Sequence, residues 1–143
     1  DIFIAHGDIA TLDYAEENVL DKVFMATPED SWMEKVPIAL VTNGSTASSA
    51  EIIARALLEN NRASVHIGAT TVGKNVFQSV VSSKADYSYN YIAGKVLSPS
   101  GHWHGEEGII PTHDCAPPHQ SHLLHTICDY AYSQTSAEAQ YSE

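Results

Sequence analysis

Residues 36–78 read VPIALVTNGSTASSAEIIARALLENNRASVHIGATTVGKNVFQ. Pro37 opens a run of four apolar residues, Ile38–Val41, which predicts a strand buried on both faces, as in a parallel sheet. A polar turn follows over Thr42–Ala47, and a helix is predicted to open at Ser48. Ser48 and Glu51 have the spacing of a capping box, and Asn60-Asn61 closes the segment. Between these ends Ile52, Ile53, Ala56 and Leu57 recur with helical spacing and predict one apolar face. Ser64–Ile67 predicts a second buried strand, and Gly73-Lys74 a loop. A strand, a sharp turn and a serine at a helix start make a place for chemistry. The backbone N–H groups of such a turn point outward unpaired, and the helix dipole favours negative charge there.

Taken alone, Ser48 reads as a helix cap and Lys74 as a surface lysine at a loop. Their company changes that reading. Asn43, Thr46-Ala47-Ser48-Ser49-Ala50-Glu51-Ile52, Arg62-Ala63, Gly68, Thr71-Val72-Gly73-Lys74 and Gln78 are followed by Ser98-Pro99-Ser100-Gly101 and Gly108-Ile109-Ile110-Pro111. This ordered series, spread over residues 1–112, resembles the C-terminal processing peptidases, or tail-specific proteases, which are serine enzymes with a lysine base. The resemblance implies an α/β fold with a crotonase/ClpP-like peptidase core: buried parallel strands, packed helices and an antiparallel β extension. It implies Ser48 as nucleophile, Lys74 as general base and Gln78 as the residue that orients the lysine. It also implies that the substrate is a protein or peptide C-terminal segment, and that the protein acts outside the cytoplasm, in a periplasmic, lumenal or secreted setting. Two departures stand out. The interval from Ser48 to Lys74 is one residue longer than usual, and Ala50 replaces a second serine. Neither removes a reacting group.

The chemistry can be argued from the residues themselves. A serine hydroxyl is a poor nucleophile until a neighbouring base takes its proton. A lysine can be that base only when neutral, a form that burial away from water favours. Lys74 lies beside Asn75-Val76-Phe77 in a chain with only seven basic residues, a sparsely charged stretch that could bury its ammonium. Gln78 carries a geometric condition. On a straight strand, residues four apart share a face but lie roughly 13 Å apart; in a helical turn they lie about 6 Å apart. An orienting role therefore requires a turned or strongly bent segment between Lys74 and Gln78. The N–H of Ser49, directly after the nucleophile, is the expected oxyanion donor. The family's second donor comes from a glycine-rich strand end that precedes anything present here, so another chain or an upstream segment would complete the site. No cofactor is called for, and no PDZ-like segment is recognisable.

At 143 residues the chain is one domain's worth, with 43% hydrophobic and 17% charged residues, as expected of a globular protein. A net charge of −11 argues against nucleic acid or an anionic membrane as partner. No apolar run is long enough to span a bilayer, and no signal peptide is visible. The absence of a starting methionine suggests a fragment or a processed chain. Asp1–Ala5 leading to His6-Gly7 reads as a helix end with its glycine cap. Asp8–Leu12 and Val23–Ala26 read as a hairpin turning over Ala15–Asn18, although propensity alone would accept a helix over Tyr14–Phe24. Trp32 is expected to cover a core edge, with a substrate groove as the alternative. Val76–Ser82 and the alternating Tyr87, Tyr89 and Tyr91 predict two antiparallel strands joined over Ser83–Asp86, with the tyrosines covering a sheet face. A substrate-binding edge is the sharper alternative for that stripe.

Residues 113–143 form a separate, histidine-rich tail. His113, Cys115, His119, His122, His125 and Cys128 are possible zinc ligands, but no paired C-x-x-C or H-E-x-x-H element is present. A helix presenting Leu123, Leu124, Ile127, Cys128 and Ala131 on one face explains the same spacing. The readings carried forward are thus a Ser/Lys peptidase, a catalytically silent peptidase fold used for binding or assembly, and a zinc-binding tail.

Overall fold

The computed structural model describes residues 2–82, 87–102 and 107–114. Two sheets and one helix make up the frame. β1 (Asp8–Tyr14) and β2 (Lys22–Met25) form an antiparallel hairpin, with a register shift between Asp8 and Ala10. β3 (Ile38–Thr42) leads through the polar turn into α1 (Ser49–Glu59), and β4 (Ala63–Gly68) returns parallel to β3. β5 (Val76–Ser82) and β6 (Ser88–Leu97) are antiparallel, and β7 (His113–Asp114) adds a short parallel strand to β4. The sheet orders are β2-β1-β6-β5 and β3-β4-β7. The β3–α1–β4 unit is a right-sized crossover: parallel strands need a long connection, and the helix supplies it.

The helix is bounded by the residues that sequence assigns to its ends. Ser48 is the N-cap in a capping box with Glu51, and Asn60 is the C-cap. Its buried residues are Glu51, Ala54, Ala56 and Leu57. Ile53, expected on the apolar face, is 60% exposed, while Ala54 is 1% exposed. The helix is thus rotated by about one position from the predicted face, because the small side chain at Ala54 permits close approach and Glu51 is drawn inward by polar partners. Leu57 and Ala56 meet Ile4 and Ala63 in the core, with Phe3, Ile9, Ile38 and Leu40 packed around them.

Several expectations need correction. β3 is not buried on both faces: its first three residues are half-buried and Val41 is 45% exposed, and among the described residues it is the edge of its sheet. Residues 2–7 form turns and bends rather than a helix end, although Gly7 has the positive φ (109°) of a cap. This segment is held from outside, by the Arg62 guanidinium donating from Nε to the Phe3 carbonyl (2.6 Å) and by the N–H groups of Met33 and Ala26 donating to the Ile2 and Gly7 carbonyls, both at 2.9 Å. Trp32 is 71% exposed and covers no core. Tyr87, Tyr89 and Tyr91 are exposed as well. The hairpin reading of residues 8–26 holds against the helical alternative, because β1 bonds on both sides, to β2 and β6. Ser98–Gly101 is a turn, with the Gly101 N–H donating to the Ser98 carbonyl. The first two residues of the proposed helical tail are strand β7. The rest of the tail, the zinc-ligand candidates beyond His113, and the Ser83–Asp86 connection lie outside the described residues.

Candidate active site

The site lies where β3 and β4 end, on the side to which parallel strands point their carboxyl ends. After β3, Asn43 organises the turn: its side-chain oxygen accepts the Ser45 N–H (2.9 Å), and its own N–H donates to the Thr46 hydroxyl (3.0 Å). The turn delivers Ser48 with φ 56° and ψ −120°. A non-glycine residue in this region stores roughly 1–3 kcal/mol of strain, which persists only where surrounding bonds over-determine it. A strained serine on a strand-to-helix turn is also the geometry that presents a nucleophile.

The surrounding bonds converge on one carboxylate. Glu51, 3% exposed, accepts on Oε2 the N–H of Ser48 and the N–H of Lys74, both at 2.9 Å. On Oε1 it accepts the Thr71 hydroxyl (2.5 Å) and the Gly73 N–H (2.7 Å). Two segments twenty-odd residues apart are thereby fastened to the same side chain. The Val72 N–H donates to the Thr46 carbonyl (2.9 Å), tying the same loop to the nucleophile turn a second time. Thr71 carries the network onward, since its hydroxyl accepts the Ile109 N–H at 2.7 Å. Gly108, beside it, has φ 64°, and a side chain there would strike the Thr71 carbonyl.

Burial alone would push the Glu51 carboxyl up. The bonds from Thr71, Gly73, Lys74 and Ser48 outweigh that and hold it below the ordinary glutamate value. The magnitudes agree. Burying a carboxylate costs several kcal/mol, whereas bonds to a charged acceptor contribute roughly 1.5–3 kcal/mol each. The helix N-terminus favours the same anion.

A second buried group supports the turn from below. His66 in β4 is 1% exposed and lies 2.8 Å from the Thr42 hydroxyl through Nε2. That hydroxyl donates its proton to the Ala69 carbonyl (2.9 Å), so the imidazole must donate through Nε2–H. Burial, and then the charge of Arg55, lower the His66 pKa and keep the ring neutral.

The residues read from sequence are placed as follows. Ser48 is half-buried at the helix start, and Ser49 is the first helical residue, exposed at the turn. Lys74 is exposed, contrary to the expected burial of its ammonium, and reaches the network through its backbone N–H. Gln78 is exposed in β5, opposite Ile92, directly after a register shift between Phe77 and Gln78. No helical turn separates it from Lys74: Val76–Ser82 is strand, with the shift in register falling inside it. Among the described residues, no hydrogen bond joins the side chains of Ser48 and Lys74, or those of Lys74 and Gln78. Also among the described residues, no group of three His, Cys, Asp or Glu side chains converges as a metal site, and no helix is long and apolar enough to cross a membrane. Glu51 beyond its cap role, Thr71 and His66 escaped the sequence reading. The available signals were a threonine three residues before the lysine and a histidine inside an apolar strand.

Comparison with known proteins gives consistent results. The family model described as Peptidase family S41 matches residues 1–115. Carboxyl-terminal-processing peptidase 3, chloroplastic, of Arabidopsis thaliana is 35% identical over 79 residues, which are 55% of this chain and 15% of that protein. Carboxy-terminal processing protease CtpA of Bacillus subtilis (strain 168) is 31% identical over 96 residues, 67% of this chain and 20% of the relative. The chain therefore spans a fifth or less of these relatives' length. Among solved structures, the photosystem II D1 C-terminal processing protease matches with a TM-score of 0.73 at 23% identity, over 90% of this chain and 32% of that one. A lipoprotein from Streptococcus agalactiae matches with a TM-score of 0.69 at 17% identity, over 93% and 47%. These two likenesses concern the mixed sheet-and-helix fold alone.

Proposed function

The chain belongs to peptidase family S41, and from that premise we propose that it carries the nucleophile and base of a serine endopeptidase that cuts near protein C-termini. The observation that supports this reading best is the shared Glu51 oxygen, which fastens the strained Ser48 turn and the Lys74 loop to one point. Ser48 Oγ attacks the scissile carbonyl carbon while Lys74 Nζ accepts the hydroxyl proton. The Ser49 N–H stabilises the developing oxyanion. The lysine ammonium then protonates the leaving amine, and the C–N bond breaks to leave an acyl ester on Ser48. Water attacks that ester, Lys74 takes its proton, and the serine leaves with the proton returned. A substrate chain lying over Lys74 would supply the desolvation that its exposed position lacks. Gln78 orients the lysine across the register shift in β5. The crotonase-like arrangement of the core and an extracytoplasmic setting go with this reading, as does a second oxyanion donor from residues other than those in these 143.

Labelling by a fluorophosphonate probe tests it. Native protein is labelled, whereas Ser48→Ala and Lys74→Ala are not. Lys74→Arg is also silent, because a guanidinium keeps the charge but does not act as a base. Equal labelling of the native chain and Lys74→Arg would remove the base from the mechanism. A native chain that takes no label is either a binding or assembly module or wants the second oxyanion donor, and labelling of a longer form of the protein separates the two.

A further inference from the structure

A capping-box glutamate ordinarily accepts a single backbone N–H, that of its own N-cap. Glu51 does this for Ser48 and then accepts three more donors, all from Thr71, Gly73 and Lys74. The buried Glu51 charge is met by these N–H and O–H donors rather than by a cation. Such an arrangement is costly for a cap alone. It makes sense as a spacer whose length is fixed by short, charge-assisted bonds to the two segments it joins.

We propose that Glu51 is the positioning residue of the dyad: its ionised carboxylate sets the separation between the Ser48 turn and the Lys74 loop, with Thr71 fixing the carboxylate's own orientation. The proposal rests on the Ser48/Lys74 reading above for its catalytic consequence, but not for its geometry. One oxygen serves the nucleophile's N–H and the base's N–H, so rotation or loss of that oxygen frees both. A glutamine at this position keeps the shape but turns one of the two acceptors into an NH₂ donor. That donor would face two of the four groups now donating, whichever way the amide is placed. Thr71→Val tests the orienting bond separately, removing the hydroxyl at nearly constant volume.

The test uses the whole chain in two arms. In the first, ¹⁵N–¹H spectra are followed with pH. The amides of Ser48, Gly73 and Lys74 should share one transition on the acid side of the ordinary glutamate value. Glu51→Gln should abolish this transition, and Ser48→Ala should leave it intact at Gly73 and Lys74. In the second, fluorophosphonate labelling rates are compared at matched folded fraction, verified by circular dichroism. Glu51→Gln should slow labelling by roughly tenfold to a hundredfold, the loss expected for a bond to a charged acceptor. Thr71→Val should slow it less, and probe concentration dependence should place both losses in the maximal rate rather than in probe affinity. Three amides titrating independently would overturn the spacer. So would a folded Glu51→Gln chain labelled at the native rate. If the native chain takes no label, for want of the second oxyanion donor or because the dyad reading fails, the titration arm decides the spacer by itself.

Discussion

Ser48 is held in a backbone conformation that favours glycine, and its side chain is the reason a glycine is not there. Ser48→Ala removes the hydroxyl and keeps the strain; Ser48→Gly removes both. Both variants lose labelling, but Ser48→Gly should unfold in urea with about 1 kcal/mol more stability than Ser48→Ala. Equal stabilities would mean that the φ of 56° costs nothing. The Ser48–Glu51 pair was legible in sequence as a cap, because a cap depends on residues three apart. The strain and the three further bonds to Glu51 were not legible, since they arise where a loop more than twenty residues later folds back. His66 was invisible for a similar reason: whether a histidine in an apolar strand is a ligand, a base or a neutral donor is set by its partner, here Thr42.

For the elements, period and caps gave type and order correctly along most of the described chain, and burial gave the errors. Helix α1 has the predicted ends but a shifted face. Ile53→Gln should therefore change stability by less than about 0.5 kcal/mol, as for other exposed positions. Ala54→Leu should cost roughly 1–3 kcal/mol by overpacking. Chemical denaturation checks both, and the reverse order would restore the sequence-based face. The face was misread because hydrophobicity favours isoleucine over alanine. The helix packs against β1 and β4 with the small Ala54 buried, and four hydrogen bonds pull Glu51 inward on the same side. Strand β3 failed in the opposite sense: an apolar run predicts burial, but among the described residues β3 has a strand neighbour on one side only and Val41 is exposed. Trp32 was expected at a core edge and Tyr87, Tyr89 and Tyr91 on a sheet face; all four are exposed, because alternation marks which residues share a face and does not say whether anything covers it.

Among the described residues, two buried titratable groups together shape the acid response of the fold. The His66 pKa is lowered by folding, so the native state resists protonation that the unfolded chain accepts. Stability is therefore full above the ordinary histidine value of about 6.5 and falls as pH drops below it. The Glu51 pKa is also lowered, so its contribution is present above the ordinary carboxyl value of about 4.3 and is lost as pH falls through the native one. Calorimetry from neutral to acid pH should show a melting temperature that declines in two stages. His66→Gln should remove the first stage alone; a decline unchanged in that variant would reassign it. A last consequence concerns the order in which the molecule comes together. Thr71 binds Glu51 twenty residues before it and Ile109 thirty-eight residues after it, while Arg62 reaches back to Phe3. Contacts of such sequence separation form late, after local hairpins and the helix, because loop closure must precede them. During synthesis the Ser48 turn and the Lys74 loop are thus made well before the bonds that fasten them together, and on the function proposed above a kinetic interval separates making the two groups from bringing them into register.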